Sequence, residues 1–136
     1  MTDRNALADS LIEARRAGSI VTLADNPSSL DESYAVLDAV MERYGEKIVG
    51  WKAAFTNDAA MEKMKTPEPA MGPLFESWVF RSGAAIATPD NCARLIESEY
   101  AFLMARDLPA RETAYSEDEV ADAVASLHPA IEIAHS

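Results

Sequence analysis

Residues 94–109 read RLIESEYAFLMARDLP, and the reading of this run as strand or helix decides the fold. Two glutamates, Glu97 and Glu99, stand one residue apart in an otherwise apolar stretch. In a strand they share one face, with Leu95, Ala101 and Leu103 beside them. In a helix they lie about 200° apart and cannot act together. Alanine, leucine and methionine also suit helices, so local propensity leaves both forms open. If the run is a strand, two neighbouring carboxylates in apolar surroundings repel each other and lose solvation. A hard divalent cation relieves both costs. Glu132, in PAIEIA 33 residues after Glu99, is the candidate third acid. On pattern alone the solvated strand face remains the favoured reading, because E-x-E is weakly specific.

The rest of the chain sets the frame. Its 136 residues suffice for one domain with a core, and 49% are hydrophobic, as in globular proteins. The net charge of −11 and the absence of a basic stripe argue against nucleic-acid binding. No apolar run reaches the length of a membrane span, and the N-terminal MTDRNALADSL has no hydrophobic signal core. Cys92 is the only cysteine, which excludes an internal disulfide; it reads as an inert thiol. A cytoplasmic protein is the expectation.

Hydrophobic periodicity gives an α+β order. NALADSLIEARRAG puts Leu7, Leu11 and Ala14 on one helical face, with Gly18 as the stop. A second helix opens at a capping box of Ser29 and Glu32, carries a stripe of Leu37, Val40, Met41 and Tyr44, and ends at Gly45. EKIVGWKAAFT alternates as a strand, with Val49, Trp51, Ala53 and Phe55 opposite Ile48, Gly50, Lys52 and Ala54. NDAAMEKMK reads as a short helix, TPEPAMGPLF as a breaker-rich loop, SWVF as a short strand and TPDNC as a turn. Ser116 and Glu119 cap a helix expected to run to about Leu127, where Pro129 stops it before the short strand AIEIA. His128 then reads as a helix-end residue, and His135 as incidental. Lys52 reads by default as a lysine on the wet side of its strand. The alternative is a cation beside a small-molecule cavity, with Gly50 and Ala54 leaving it space.

GWKAAFTN, MGPLF, ESEYAFLMARDLP and LHPAIEI, in this order and at these spacings, resemble the 2-keto-4-pentenoate hydratase family of the fumarylacetoacetate hydrolase superfamily. The resemblance covers nearly the whole chain, including the helical lead-in. It implies one incomplete domain over 1–136, with a helical lead-in at 1–46 and the first part of a mixed β-roll at 47–136. It implies Mg²⁺ or Mn²⁺ held by Glu97, Glu99 and Glu132, and a small 2-oxo acid whose enolate the ion steadies. Lys52 and Glu76 would bind the substrate and move protons. The implied activity adds water to a 2-hydroxy-2,4-dienoate to give a 4-hydroxy-2-oxo acid, in aromatic-compound breakdown. A 2-oxo-hexenedioate decarboxylase or an acylpyruvate hydrolase would use the same triad. A non-catalytic binding or oligomerisation module is the alternative from another class. Family chains are about twice this length, and an Asp-Ser pair commonly follows the last glutamate where this chain has His135 and Ser136. Homo-oligomerisation, or association through unpaired strand edges, is therefore expected.

Overall fold

The computed structural model describes residues 3–23, 26–87 and 94–135. Cys92 and the TPDNC turn lie outside them, as do the side chains of Arg94 and His135. The chain forms two units, Met1–Asn91 and Cys92–Ser136, each with helix and antiparallel sheet, so the class is α+β.

In the first unit, α1 (Arg4–Ala17) and α2 (Leu30–Tyr44) pack together. Asp3 caps α1 by accepting from the backbone N–H groups of Asn5 and Ala6. Both helices end on left-handed glycines, Gly18 (φ 60°) and Gly45 (φ 79°), where a side chain would be strained. Ser29 caps α2 through the Glu32 N–H, but the Glu32 carboxylate reaches Ser28 instead of closing the box on Ser29. The buried faces are Leu7, Ala8, Ile12 and Ala14 on α1, and Val36, Ala39 and Tyr44 on α2. Both are rotated slightly from the stripes expected. Leu11, Leu37, Val40 and Met41 lie at their half-buried margins.

Strand β1 (Ile48–Ala54) pairs antiparallel with β2 (Ala70–Phe75). The loop expected at TPEPAMGPLF is therefore half strand. Pairing with β1 overrides its breakers, and Pro73 can sit there because a two-stranded ribbon leaves alternate N–H positions facing outward. The helix α3 (Asp58–Met64), capped by Asn57, connects the two strands. After β2 the chain enters a 3₁₀ turn, Glu76–Trp78, where a short strand was expected.

Three aromatic rings place this turn. Phe75 is fully buried and stacks on Tyr44 with ring centroids 4.1 Å apart. Trp78 meets both rings edge-on, and its indole N–H donates to the Tyr44 hydroxyl at 2.9 Å. Arg15 lies 4.4 Å over Trp78, and Arg16 donates to the Tyr44 carbonyl at 2.7 Å. Such ring pairs contribute about 0.5–1.5 kcal/mol each beyond their buried area. They tie the helical lead-in to the segment that carries Glu76, whose N–H donates to the Lys47 carbonyl at 2.9 Å.

The second unit is a long antiparallel ribbon of β3 (Arg94–Met104) and β4 (Val124–His135). The run 94–104 is thus a strand. Between the strands lies α4 (Glu117–Ala121), with a complete capping box of Ser116 and Glu119. Arg111 grips the Glu119 carboxylate with two hydrogen bonds of 2.9 and 2.7 Å and covers the Tyr115 ring. The Arg111 hydrogen bonds, aided by the Ser116 N–H, lower the Glu119 carboxyl to about 2.

Helix α4 stops at Ala121, six residues short of the expected end at Leu127. From Val124 onward the apolar alternation fits the ladder offered by β3, and cross-strand pairing outweighs local helix propensity. Pro129 sits within β4, opposite Tyr100, instead of ending a helix, and His128 lies inside the same strand.

One face of this ribbon is strongly apolar. Ile96, Tyr100, Phe102, Leu127 and Ile131 share it and remain 54–78% exposed. Burying each such side chain is worth roughly 1.5–3 kcal/mol. The isolated chain is therefore expected to self-associate and to bind a dye specific for exposed apolar surface. Size-exclusion chromatography with light scattering tests this, and a dye-silent monomer would contradict it.

Candidate metal centre

The register of the second ribbon builds the site. Glu97 pairs directly with Glu132, and Glu99 pairs with Ala130. The period of two puts Glu97 and Glu99 on one face, and the pairing puts Glu132 on that same face. One carboxylate oxygen from each residue lies within 4.8 Å of the other two. Glu99 and Glu132 are half-buried, and Glu97 is exposed.

The donor set fits a hard divalent ion. Oxygens on opposite sides of a Mg²⁺ ion lie about 4.2 Å apart, twice a bond of about 2.1 Å. Oxygens that all lie within 4.8 Å of one another reach such a span through sub-ångström movements of three flexible side chains. Three monodentate carboxylates would leave further coordination positions of such an ion open. With no sulfur or imidazole among the three donors, the set suits Mg²⁺ and Mn²⁺ better than softer metals.

The two other candidate residues belong to the first unit. Lys52 lies on β1 opposite Gly72, with Gly50 beside it on the same face. Gly72 adds no side chain opposite it, and a Cβ built there would meet nothing within 4 Å. Burial reverses the default expectation for this strand. Lys52 is half-buried, while Trp51 on the other face is 53% exposed. Phe55, just past β1, takes a left-handed conformation at φ 58°, uncommon for a bulky side chain. Glu76 opens the 3₁₀ turn and is exposed.

Ser126 and His128 were not singled out as a pair, yet they occupy the carboxylate face of β4. His128 lies opposite Ala101 and Ser126 opposite Leu103, and the Ser126 hydroxyl is 2.8 Å from His128 Nε2. The period-two series Ser126, His128, Ala130, Glu132 was the available signal, concealed by the expected helix.

No protein-family model matches the chain. Comparison with curated proteins finds the TodF product hydratase of Pseudomonas putida F1, 31% identical over 135 residues. That alignment covers 95% of this chain and 50% of the relative. A 2-keto-4-pentenoate hydratase of Paraburkholderia xenovorans LB400 is 29% identical over 98% of this chain and 51% of its own length. A 2-hydroxypent-2,4-dienoate hydratase of Pseudomonas putida is 27% identical over 76% of this chain. The resemblance to the 2-keto-4-pentenoate hydratase family thus holds along nearly all of this sequence. The chain spans about half the length of the curated relatives it matches. Among the described residues, no helix is long and apolar enough to cross a membrane.

Proposed function

We propose that this chain supplies the metal-binding part of a cytoplasmic hydratase that adds water to a 2-hydroxy-2,4-dienoate, the enol of a 2-keto-4-pentenoate. Its product is a 4-hydroxy-2-oxo acid, formed in aromatic-compound catabolism. The convergence of Glu97, Glu99 and Glu132 carries this reading. The names of the relatives favour hydration over the decarboxylase or hydrolase that the same triad would serve. A mixed β-roll of the fumarylacetoacetate hydrolase type is the fold this reading implies for that enzyme.

Bound at the triad, Mg²⁺ or Mn²⁺ supplies Lewis-acid polarisation of the 2-oxo acid end. Glu97, Glu99 and Glu132 would hold it. Lys52 would help bind the substrate and supply a proton, the role the family resemblance gives it. Glu76 accepts and returns a proton as water adds. The balance is simple. The enol hydroxyl loses its proton as the 2-oxo group forms, the water oxygen bonds to C4, and C3 and C5 each gain a hydrogen.

Turnover of 2-hydroxypenta-2,4-dienoate by the enzyme that carries this chain tests the reading. Chelation is expected to abolish activity, and Mn²⁺ to restore it. Turnover unaffected by exhaustive chelation would overturn it.

A further inference from the structure

We infer that Phe55 reads the hydrocarbon end of the substrate and limits its length, accepting a vinyl terminus and rejecting a longer alkyl chain. This inference rests on the reading that Lys52 meets a 2-hydroxy-2,4-dienoate, and it gives that reaction a residue that sets its specificity. Among the described residues, two other than glycine have positive φ, Phe55 at 58° and Lys65 at 55°. Lys65 closes α3 as its left-handed C-cap. Phe55 ends no helix and lies between β1 and the Asn57 cap of α3. A bulky ring is held there against its backbone preference, and such strain clusters at functional positions.

The turn decides where the ring lies. Along β1, Val49, Trp51 and Ala53 are exposed, while Gly50, Lys52 and Ala54 are half-buried. Simple alternation would set Phe55 beside Trp51 and Ala53 on the exposed side. Extended backbone has φ of about −120 to −140°, so the value at Phe55 is about half a turn away around the N–Cα bond. That rotation carries Cβ to the other side of the strand, the side of Lys52. Burial agrees, since Phe55 is half-buried where the alternation calls for exposure.

On that side the ring is three residues from Lys52, about 10 Å of strand at about 3.3 Å per residue. Ala54 and its partner Ala70 lie between them and contribute methyl groups only. A dienoate engaged by the Lys52 ammonium group would extend its carbon chain over these methyl groups toward the ring. An aromatic ring offers apolar surface there, which suits an uncharged vinyl group. Beyond a five-carbon chain, each further methylene would meet the ring.

The test compares 2-hydroxypenta-2,4-dienoate with 2-hydroxyocta-2,4-dienoate, which adds a propyl group at C5, as substrates of the Mn²⁺-loaded enzyme that carries this chain. The unmodified enzyme is expected to favour the shorter substrate in kcat/KM by about tenfold or more, as misfitting methylenes in an apolar site allow. Phe55→Gly keeps the left-handed turn and removes the ring, so it should shift the ratio of the two kcat/KM values toward the longer substrate by about tenfold. Phe55→Leu should shift it less, and provides the readout if Phe55→Gly does not fold. A purely structural Phe55 would lower both values together and leave their ratio in place. That result, or an unmodified enzyme that favours the longer substrate, would overturn the inference and leave the hydratase reading standing. Turnover of neither substrate by the unmodified enzyme would overturn the hydratase reading, and this inference with it.

Discussion

Replacing Lys52 by methionine is expected to lower turnover of a 2-hydroxydienoate by about 10²–10⁴-fold, the usual contribution of a positioned acid or base. The effect should fall mainly on kcat, because methionine keeps most of the stem and loses the proton. Stability should change by less than about 1 kcal/mol, since Lys52 is half-buried and methionine keeps most of its apolar stem. Stopped-flow loss of the dienol absorbance, with thermal denaturation as the fold control, measures both. An unchanged rate would return Lys52 to an ordinary strand position. A large loss of stability would instead make it a packing residue.

The neighbouring residues make this test informative. Gly50 and Gly72 flank Lys52 along and across the ribbon, and neither adds a side chain to its face. The rings of Tyr44, Phe75 and Trp78 hold the turn that begins at Glu76 in the same unit. Glu76→Gln in the same enzyme would therefore separate a proton-transfer role from a structural one. Its side chain is exposed and its backbone bond to Lys47 remains.

Locally encoded features were the legible ones. Gly18 and Gly45 end helices because only a residue without Cβ takes those left-handed turns cheaply. Ser116 and Glu119 satisfy each other within four residues, so their box is visible without tertiary context. Segments whose structure depends on distant pairing depart from the local expectation. Residues 70–75 carry Gly72 and Pro73 and read as a loop, yet β1 recruits them as β2. Residues 124–127 read as the end of a helix, yet β3 recruits them into β4. That second pairing also moved His128 from a helix end to the carboxylate face.

The same division holds for the site. The period of two allows Glu97 and Glu99 to share a face once the run is a strand. Their conjunction with Glu132 depends on a register between strands about 30 residues apart, which periodicity does not encode. Glu132 is the third acid the sequence itself offers, the family resemblance implies its role as a ligand, and the ladder sets it opposite Glu97. The exposed side of β1 went the other way. Trp51 and Val49 read as the packed face, whereas Lys52 lies on the less exposed one.

Calorimetric titration of the chain and its Glu99→Ala variant with Mn²⁺ tests the central claim most directly. Glu99 is the half-buried member of the E-x-E pair and diagonal to Glu132, so its loss should leave two carboxylates that hold the ion poorly. Altering even an outer-shell partner of a metal site typically costs 10–100-fold in affinity, so loss of a direct ligand should cost about 100-fold or more. A single Mn²⁺ per chain is expected, bound at least about 100-fold more weakly by Glu99→Ala than by the unmodified chain. Equal affinity in the two proteins would contradict it.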